Sequence, residues 1–585
     1  MINPVSTPPS HDPQSDSTPI VGKSPAPSAT SDGSRQLLRR RVPVLLSSIL
    51  ALLLLTGAGK VADDFAAIGR GIDLFGTIYR ELSLNYVDAL DADRLVRAGI
   101  RGMLAAVDPF TTFIEKEERA DVDMLATGSY GGIGITVSER SGRHVVSGVL
   151  DTTVLTAYDL RIGDEIVRID TTVVDGKAMD LKGLLRGRQG TTVLLTVRRP
   201  PRTETHSITI TRRDVSVRSL ALATRLDGGI GYIKLDRFTR SAGEDVRDAY
   251  RTMSSDSSLR AVILDLRDNP GGLLDAAVDV CEKFLPAGAI VVSTRGRQER
   301  YTRTYVSEEQ PIEPRMPLIV LVNGASASAS EIVAGAVQDH DRGIIIGTAT
   351  FGKGLVQTIV PVGPEASLKL TSSKYYTPSG RCIQKPIVPK DEKAHVIIKT
   401  EADTARWFRT LQYRRPVFAS GGIIPDTVVT ADTISHFVVQ LVRNGILFDF
   451  ATRHANTHAL HAAPVVDDRM KRALRTHMDT ISFDAQAEVS AAYVSLRAAV
   501  RAQGYDRRTQ DKLSALELTL KKAHSQTVDA NWQEIRRQLE MEFAQRFGGR
   551  SARLRASLPS DKQLRSALMI LNRAGGVAEI LRSSH

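Results

Sequence analysis

The sequence is poor in cysteine and in aromatic residues, which limits the sites it can form. Cys281 and Cys382 are its two cysteines, too few for a disulfide framework or a zinc cage. Aromatic residues make up 5% of the chain, and the net charge is +11. Most of that charge comes from residues 466–585, where 21 Lys and Arg are interleaved with 14 Asp and Glu. This pattern predicts a solvated helical surface and no nucleic-acid partner.

A second deficiency concerns the segment GTATFGKG (347–354), which nearly matches a phosphate-binding loop. Such a loop continues from Gly-Lys into a Ser or Thr whose hydroxyl binds magnesium, and here that position is Gly354. Without the hydroxyl, the segment predicts neither a nucleotide nor a metal site. We expect no cofactor, and Lys353 needs another role.

The N-terminus changes composition abruptly. Residues 1–41 are rich in Pro, Ser and Thr, end in an arginine cluster, and are predicted to be disordered and cytoplasmic. Residues 42–59 form an uncharged apolar run of 18 residues, about the minimum length of a membrane-spanning helix. We expect a retained anchor that places the rest of the chain outside the cytoplasm, with a cleaved signal peptide as the alternative.

Two regions follow the apolar run. Residues 60–127 show the three- and four-residue apolar spacing of helices, ended by the Asp-Pro of VDPF (107–110). Residues 128–213 contain a glycine-rich turn and short β-runs separated by turn signals, which predict a compact β-rich domain.

The rest of the chain divides into an α/β core and a helical region. In residues 214–435, β-branched runs such as AVILDLR and LIVLVN alternate with helical stretches, which predicts an α/β domain. Residues 436–585 are predicted to be mainly helical. Their clearest amphipathic helix spans 530–547 and is predicted to end at Gly548-Gly549.

Two stretches of the α/β core carry residues suited to catalysis. LDLRDNPGGLL (264–274) turns from a strand into a helix and exposes backbone amides that suit an oxyanion, although ordinary strand-to-helix turns look similar. VNGASASASEI places Ser326, Ser328 and Ser330 among small residues before a helix, where a nucleophilic serine would be accessible. A serine-capped helix start is the alternative interpretation.

A serine nucleophile needs a base, and Lys353 is the better candidate. If residues 328–340 form one helix, His340 lies about 18 Å from Ser328, too far for a Ser-His pair. Lys353 follows the next strand, and burial among apolar neighbours would lower its pKa so that it can accept a proton. Gln357, four residues further on, could orient the amine through a neutral hydrogen bond.

These motifs together resemble the carboxyl-terminal processing peptidases, the tail-specific serine proteases. The resemblance rests on LDLRDNPGGLL, NGASASASEIVAG, FGKGLVQ, YYTPSGRCIQ and GGIIPD in this order, and it extends from about residue 78 to about residue 430. It implies a crotonase-like α/β catalytic core, with Ser328 as nucleophile, Lys353 as general base and Gln357 as its support. The implied oxyanion donors are the amides of Ala329 and of one glycine of Asn-Pro-Gly-Gly, Gly271 or Gly272.

The resemblance also implies that residues 128–213 form a PDZ domain. Its turn Gly131-Gly132-Ile133-Gly134 resembles the loop that binds a peptide's terminal carboxylate. The segment AYDLRIGD departs from the family by having Tyr158-Asp159 where Ala-Gly is usual.

The sequence therefore predicts a membrane-anchored serine endopeptidase of a bacterial cell envelope, with its catalytic part in the periplasm. Expected partners are proteins or peptides with free, apolar C-termini, and a homodimer through the helical regions is a further expectation. One alternative is a catalytically inactive PDZ scaffold on a protease fold. Another is an acyl-CoA enzyme, whose related core also places oxyanion amides at strand ends.

Overall fold

The computed structural model describes most of the chain beyond residue 64, in two compact units that divide between Gly99 and Ile100. No helix in this part is both long and apolar enough to cross a bilayer. The predicted disordered segment 1–41 and the predicted anchor 42–59 lie outside the described residues. These are 65–115, 124, 127–140, 142–150, 153–175, 179–255, 258–364, 366–386, 406–419, 421–458, 461–481, 483, 487–525 and 527–583.

The secondary-structure elements are numbered here in chain order. The strands are β1 (Thr112–Ile114), β2 (Ser129–Gly132), β3 (Ile135–Arg140), β4 (Arg143–Val149), β5 (Glu165–Ile169), β6 (Thr172–Val173), β7 (Thr192–Arg198), β8 (Thr205–Thr211), β9 (Arg213–Ser216), β10 (Leu220–Leu226), β11 (Ile230–Leu235), β12 (Ala261–Asp265), β13 (Ile290–Gly296), β14 (Arg303–Val306), β15 (Leu318–Val322), β16 (Ile344–Gly347), β17 (Leu355–Pro361), β18 (Ser367–Tyr376), β19 (Trp407–Arg409), β20 (Pro416–Phe418) and β21 (Thr427–Val428). The helices are α1 (65–85), α2 (Ala92–Ala105), α3 (Thr153–Tyr158), α4 (Leu181–Leu185), α5 (Ala242–Ser254), α6 (Leu274–Glu282), α7 (Ala329–Asp339), α8 (His436–Arg443), α9 (Ile446–Thr457), α10 (Asp468–Thr480), α11 (Ala487–Ala502), α12 (Arg507–Ser525), α13 (Thr527–Ala530), α14 (Trp532–Ser557), α15 (Lys562–Asn572) and α16 (Gly576–Arg582).

The first unit is helical where it is described. It contains α1 and the beginning of α2, whose first turn is stabilised by Asp91. The Asp91 carboxylate accepts a hydrogen bond from the Arg94 amide at 3.1 Å, as a helix-capping residue does. The helical periodicity predicted here is confirmed.

The second unit begins with a β-rich domain. Its six-stranded antiparallel sheet has the order β3-β4-β5-β7-β8, with β6 beside β5, while β2 and β9 pair separately. In β7 (TVLLTVR), Val193, Leu195 and Val197 are buried and the residues between them face outward. This two-residue period packs one face of the sheet against α4, so the β-runs predicted from the sequence are confirmed.

The α/β core is built on a sheet with the order β10-β11-β12-β15-β16-β21. The last five strands in this order, β11, β12, β15, β16 and β21, are parallel, and β10 is an antiparallel edge strand. Every residue of β12 and β15 is buried because both faces of the sheet are covered. Helices α5, α6 and α7 cover one face, and α15 and α16 cover the other. The carboxyl ends of β12, β15 and β16 therefore meet at one edge.

A second sheet lies beside this edge and carries the residues that follow Lys353. It has the order β1-β18-β13-β14, with β17 paired to β18. β17 begins at Leu355, so Lys353 lies in the loop between β16 of the central sheet and β17 of the second sheet.

The C-terminal helices include a separate apolar core, and the amphipathic helix ends where the sequence predicts. Gly549 adopts φ 69° and ψ −166°, a non-helical conformation that separates two helical segments within α14. The first segment ends at Gly548-Gly549, and the second continues beyond the kink to Ser557. The buried core of this region is formed by α8, α9, α10 and α14.

Candidate active site

Ser328 lies at the turn between β15 and α7, at the carboxyl edge of the central sheet. It directly precedes the first residue of α7 and adopts φ 55° and ψ −113°. A positive φ at a residue with a side chain costs about 1–3 kcal/mol, and such strain is concentrated at functional sites. The small residues of the NGASAS segment leave room for this sharp turn.

The structure distinguishes the three serines of this turn. Ser326 and Ser330 are fully buried, and their hydroxyls donate hydrogen bonds to the carbonyl oxygens of Leu266 (2.8 Å) and Asn269 (2.9 Å). Both hydroxyls therefore hold the turn against the segment that follows β12. Ser328 is half-buried. It is the accessible member of the three.

Glu331 joins Ser328 to Lys353, and it was not predicted from the sequence. Its fully buried carboxylate accepts hydrogen bonds from the Ser328 amide (2.8 Å) and the Lys353 amide (2.9 Å). It also accepts from the Gly352 amide (2.7 Å) and the Thr350 hydroxyl (2.6 Å). Burial raises the pKa of this carboxyl, and the four hydrogen bonds oppose that effect. One side chain thus fixes the backbones of both predicted catalytic residues.

Tyr375 makes a second connection between the same two residues. Its buried hydroxyl lies 2.6 Å from the Lys353 carbonyl oxygen and 3.2 Å from the Ser328 carbonyl oxygen. Burial raises the pKa of Tyr375 well above its usual value, so the hydroxyl keeps its proton and acts as a donor. The second sheet thereby holds the Ser328 turn and the Lys353 loop at a fixed separation.

The environment of Lys353 favours its neutral form. Burial and, to a smaller extent, the nearby Lys369 cation lower the pKa of Lys353 to about 8, against the opposing effect of Glu331 and Asp108. The amine lies 4.8 Å from the ring centroid of Phe110, which belongs to the VDPF turn before β1. This agrees with the direction of shift predicted from the sequence.

The predicted oxyanion turn lies directly beside Ser328. A Cβ added to Gly271 would come within 2.9 Å of the Ser328 Cβ and 3.0 Å of the Ala329 nitrogen. The Gly271 amide donates to the Asn269 side chain at 2.9 Å. In the described part of the chain, the amides of Gly272 and Ala329 have no hydrogen-bond acceptor. The choice between Gly271 and Gly272 remains a prediction, and this geometry favours Gly272.

Gln357 and His340 complete the predicted set. The buried Gln357 side-chain nitrogen has no hydrogen-bond partner, and within the described residues no hydrogen bond joins Gln357 to Lys353. His340 lies at the far end of α7, where its ring bonds to the Ile290 carbonyl at 2.7 Å. The single helix predicted between Ser328 and His340 is present, and it separates the two residues by its full length. No cluster of three or more His, Cys, Asp or Glu side chains in the described ranges could hold a metal ion.

A buried ionic network supports the start of the oxyanion turn. Asp265, at the end of β12, accepts hydrogen bonds from Tyr232 (2.6 Å) and Arg267 (2.5 Å). Burial opposes ionisation of Asp265, yet the Arg267 and Lys234 cations hold the pKa of its carboxyl below the usual range. Arg267 also forms two hydrogen bonds to the Asp561 carboxylate, at 3.0 and 2.6 Å. Asp561 caps α15, so the C-terminal helices contact this network.

The β-rich domain has a groove between β3 and α4. The groove has a volume of about 620 Å³. Ile133 and Gly134 line it, and Gly131 packs so closely on Gly187 that a Cβ would lie 2.2 Å from the Gly187 carbonyl oxygen. The unusual pair at 158–159 does not line the groove. The side chains lining it include Tyr130, Ile135, Val137, Leu181, Lys182, Leu185, Arg186 and Arg237.

Sequence reasoning missed the residues that hold the reacting groups. One signal for Glu331 was present, because Ser-x-x-Glu before an apolar run is a helix-capping pattern. Tyr375 belongs to the motif YYTPSGRCIQ, but nothing in that motif indicates that its hydroxyl contacts the Ser328 carbonyl.

The catalytic core belongs to a recognised class of proteases. Residues 229–394 match peptidase family S41, and residues 437–571 match a domain described as the C-terminal helical domain of a probable PDZ-protease. The chain belongs to the carboxy-terminal-processing proteases of family S41 and is of the serine protease type.

The similarity to individual relatives extends beyond the core. A carboxy-terminal-processing protease of Bartonella bacilliformis is 39% identical over 314 residues, which cover 53% of this chain and 72% of the relative. A probable CtpA-like serine protease of Staphylococcus aureus is 29% identical over 378 residues, 62% of this chain and 75% of the relative. Among solved structures, a photosystem II D1 C-terminal processing protease is 30% identical, with a TM-score of 0.33, and the match covers 52% of this chain and 83% of that one.

Proposed function

We propose that this chain is an endopeptidase in which Ser328 is the nucleophile and Lys353 the general base. The observation that carries the proposal is the position of Glu331, whose carboxylate binds the amides of both residues. A serine hydroxyl is unreactive without a base, and a lysine serves as one when a substantial fraction is neutral. The pKa of about 8 at Lys353 meets that condition.

In the acylation step, the Ser328 Oγ attacks the carbonyl carbon of the scissile peptide bond while its proton passes to the Lys353 Nζ. The carbonyl oxygen becomes an oxyanion, and the amides of Ala329 and Gly272 are the proposed donors to it. The carbon–nitrogen bond then breaks, and the Lys353 ammonium returns the proton to the leaving amine. The product is an acyl-enzyme on Ser328.

Hydrolysis of the acyl-enzyme uses the same groups. Lys353 takes a proton from water, whose oxygen attacks the ester carbon, and then returns the proton to the Ser328 oxygen as the second product leaves. The proposed part of Gln357 is to accept a hydrogen bond from the Lys353 amine, which would aim the amine at Ser328. That bond is absent from this structure.

We further propose that the β-rich domain is a PDZ domain whose groove binds the C-terminal tail of a protein substrate. The exposed edge of β3 can pair with an extended tail, and apolar side chains such as Ile133, Ile135 and Leu185 suit an apolar end. The segment 42–59 is proposed to anchor the enzyme in the membrane of a bacterial cell envelope, with the catalytic part in the periplasm.

Cleavage of a folded reporter with an appended apolar tail tests the proposal. We expect the full chain to shorten the reporter. Ser328→Ala and Lys353→Ala should each abolish this cleavage, and the double variant should be no less active than either single variant. Groups that act as one catalytic unit are non-additive in this way. Circular dichroism checks that each variant is folded. Wild-type turnover in Lys353→Ala would contradict the proposed base.

A further inference from the structure

Arg237 lines the peptide groove although it belongs to the catalytic core. It lies in the loop that follows β11 (Ile230–Leu235), whereas most of the groove is formed by the β-rich domain. A tail bound in the groove would therefore contact both domains.

The Arg237 side chain is available to bind an anion. It is half-buried, and within the part of the chain that the structure describes its guanidinium forms no hydrogen bond or ion pair. Lys182 and Arg186 line the same groove. The acidic side chains that line it are Glu139 and Asp180, and Asp180 accepts a hydrogen bond from the Lys182 amide at 3.0 Å. The lining thus carries three Lys or Arg side chains against two acidic ones, an excess of one positive charge.

The residue after Arg237 is bonded to the oxyanion turn. The Phe238 amide donates to the Gly271 carbonyl at 3.1 Å, and its carbonyl accepts from the Leu273 amide at 2.9 Å. A Cβ on Gly272 would lie 2.2 Å from the Phe238 carbonyl oxygen, so the two backbones are in direct contact. Phe238 therefore connects the residue that lines the groove to the turn beside Ser328.

We propose that Arg237 binds a carboxylate of the substrate's C-terminal tail and couples occupancy of the groove to the geometry of the oxyanion turn. This inference rests on the proposed function and adds to it a specificity-determining residue supplied by the core. A guanidinium is suited to the task because its planar donors match the two oxygens of a carboxylate. Arg237 is a positioning residue for the reaction, since it acts on the turn through Phe238.

Binding is tested first, in the catalytically inactive Ser328→Ala chain, by fluorescence anisotropy with a labelled apolar peptide. Free-acid and amidated forms are compared, together with an amidated form that ends in Asp. We expect Arg237→Gln to weaken binding of the free acid about tenfold and to leave the amidated peptide unchanged. Arg237→Lys should retain part of the preference. A loss confined to the Asp-ended peptide would support a side-chain carboxylate as the ligand.

Turnover is tested next, in chains that retain Ser328, with the tailed reporter. We expect Arg237→Gln to raise KM and also to lower kcat, because the turn loses its connection to the groove. Arg240→Gln is the matched control, since Arg240 is exposed, lies three residues further along the same loop and does not line the groove. If Arg237→Gln keeps the preference for the free-acid peptide, the inference is overturned. If cleavage by the same chain still depends on Ser328, the proposed function is nevertheless upheld. Absence of Ser328-dependent cleavage would overturn the function but leave the binding result interpretable.

Discussion

Lys353, the proposed general base, shows how the surroundings of a single residue change its pKa. No acid pairs with its amine in the described structure, and burial is the main cause of its lowered pKa. Its backbone is held separately, through the Glu331 carboxylate and the Tyr375 hydroxyl. The side chain is therefore free to exchange a proton while the loop that carries it stays fixed.

The first prediction concerns pH. If the neutral Lys353 amine is the base, as proposed, kcat/KM should rise with pH through the Lys353 pKa of about 8 and then level off. Lys369→Gln removes a nearby cation and should move this limb to higher pH, whereas Lys369→Arg should leave it in place. Lys353→Arg should be inactive, since a guanidinium does not lose its proton. The measurement is a pH–rate profile below saturation, and an identical limb in Lys369→Gln would refute the electrostatic argument.

The second prediction concerns Glu331. In Glu331→Gln a side-chain NH₂ group faces amides that donated to the carboxylate, so kcat should fall by about a hundredfold or more. Glu282→Gln is the control, because Glu282 is also a buried carboxylate that accepts an amide hydrogen bond but lies outside the site. Comparable kcat in the two variants would show that Glu331 does not position the reacting groups.

At this scale the sequence predicts the proposed catalytic residues better than the residues that position them. Lys353 and the three serines of NGASASAS belong to local motifs that can be recognised along the chain, and the family resemblance selects Ser328 among the three. Arg267 and Tyr375 act through contacts between segments distant in sequence, with Asp561 and with Ser328 respectively. Neither hydrophobic period nor turn chemistry carries that information.

At the scale of elements, strand β18 connects the two halves of the site through the side chain of Tyr375. Tyr375, on this strand, contacts carbonyl groups of both the Ser328 turn and the Lys353 loop. The turn itself is held by the buried Ser326 and Ser330 hydroxyls. Strand and turn together limit how far the nucleophile and the base can separate.

The third prediction concerns this strand. Tyr375→Phe removes the hydroxyl but keeps the ring, so we expect kcat to fall about tenfold with KM little changed. Tyr376→Phe, at the next position and therefore on the opposite face of the strand, should have nearly wild-type kcat. Steady-state kinetics on both variants provide the comparison, and equal values would remove Tyr375 from the set of positioning residues.

The elements themselves were predictable where pattern and composition agreed. AVILD and LIVLV form fully buried parallel strands because β-branched residues fill both faces. The predicted end of the amphipathic helix at Gly548-Gly549 is confirmed, because Gly549 leaves the helical conformation there. The second helical segment that follows the kink was not predicted, since glycine at positive φ marks the end of one segment and says nothing of the next.

At the scale of the whole molecule, the last two C-terminal helices, α15 and α16, contribute to the stability of the catalytic core. α15 and α16 cover the face of the central sheet opposite α5, α6 and α7. Arg267 beside the oxyanion turn is bonded to Asp561 at the start of α15. The core therefore uses residues 561–583, the last part of the described chain, for burial and for charge pairing.

The fourth prediction tests this dependence. Leu564→Ala should lower the free energy of unfolding by about 3 kcal/mol, because Leu564 is 2% exposed and its removal leaves a cavity against the sheet. Met569→Ala, on the same helix but 66% exposed, should change it by less than about 0.5 kcal/mol. Thermal denaturation of both variants gives the comparison, and equal midpoints would show that α15 does not stabilise the core.

The kinked helix α14 contacts the β-rich domain on one side of its bend and the catalytic core on the other. Gln545 donates to the Ser147 carbonyl at 2.8 Å, and Arg550 pairs with Asp236 at 2.6 Å. Contacts on both sides of the bend therefore help to fix the β-rich domain relative to the catalytic core. If the end of a substrate's tail binds in the groove, the first cut should fall at a nearly constant number of residues from that end. Mass spectrometry of products from reporters with Gly-Ser insertions upstream of the tail should show the same released length, and a released length that grew with each insertion would contradict a fixed spacing.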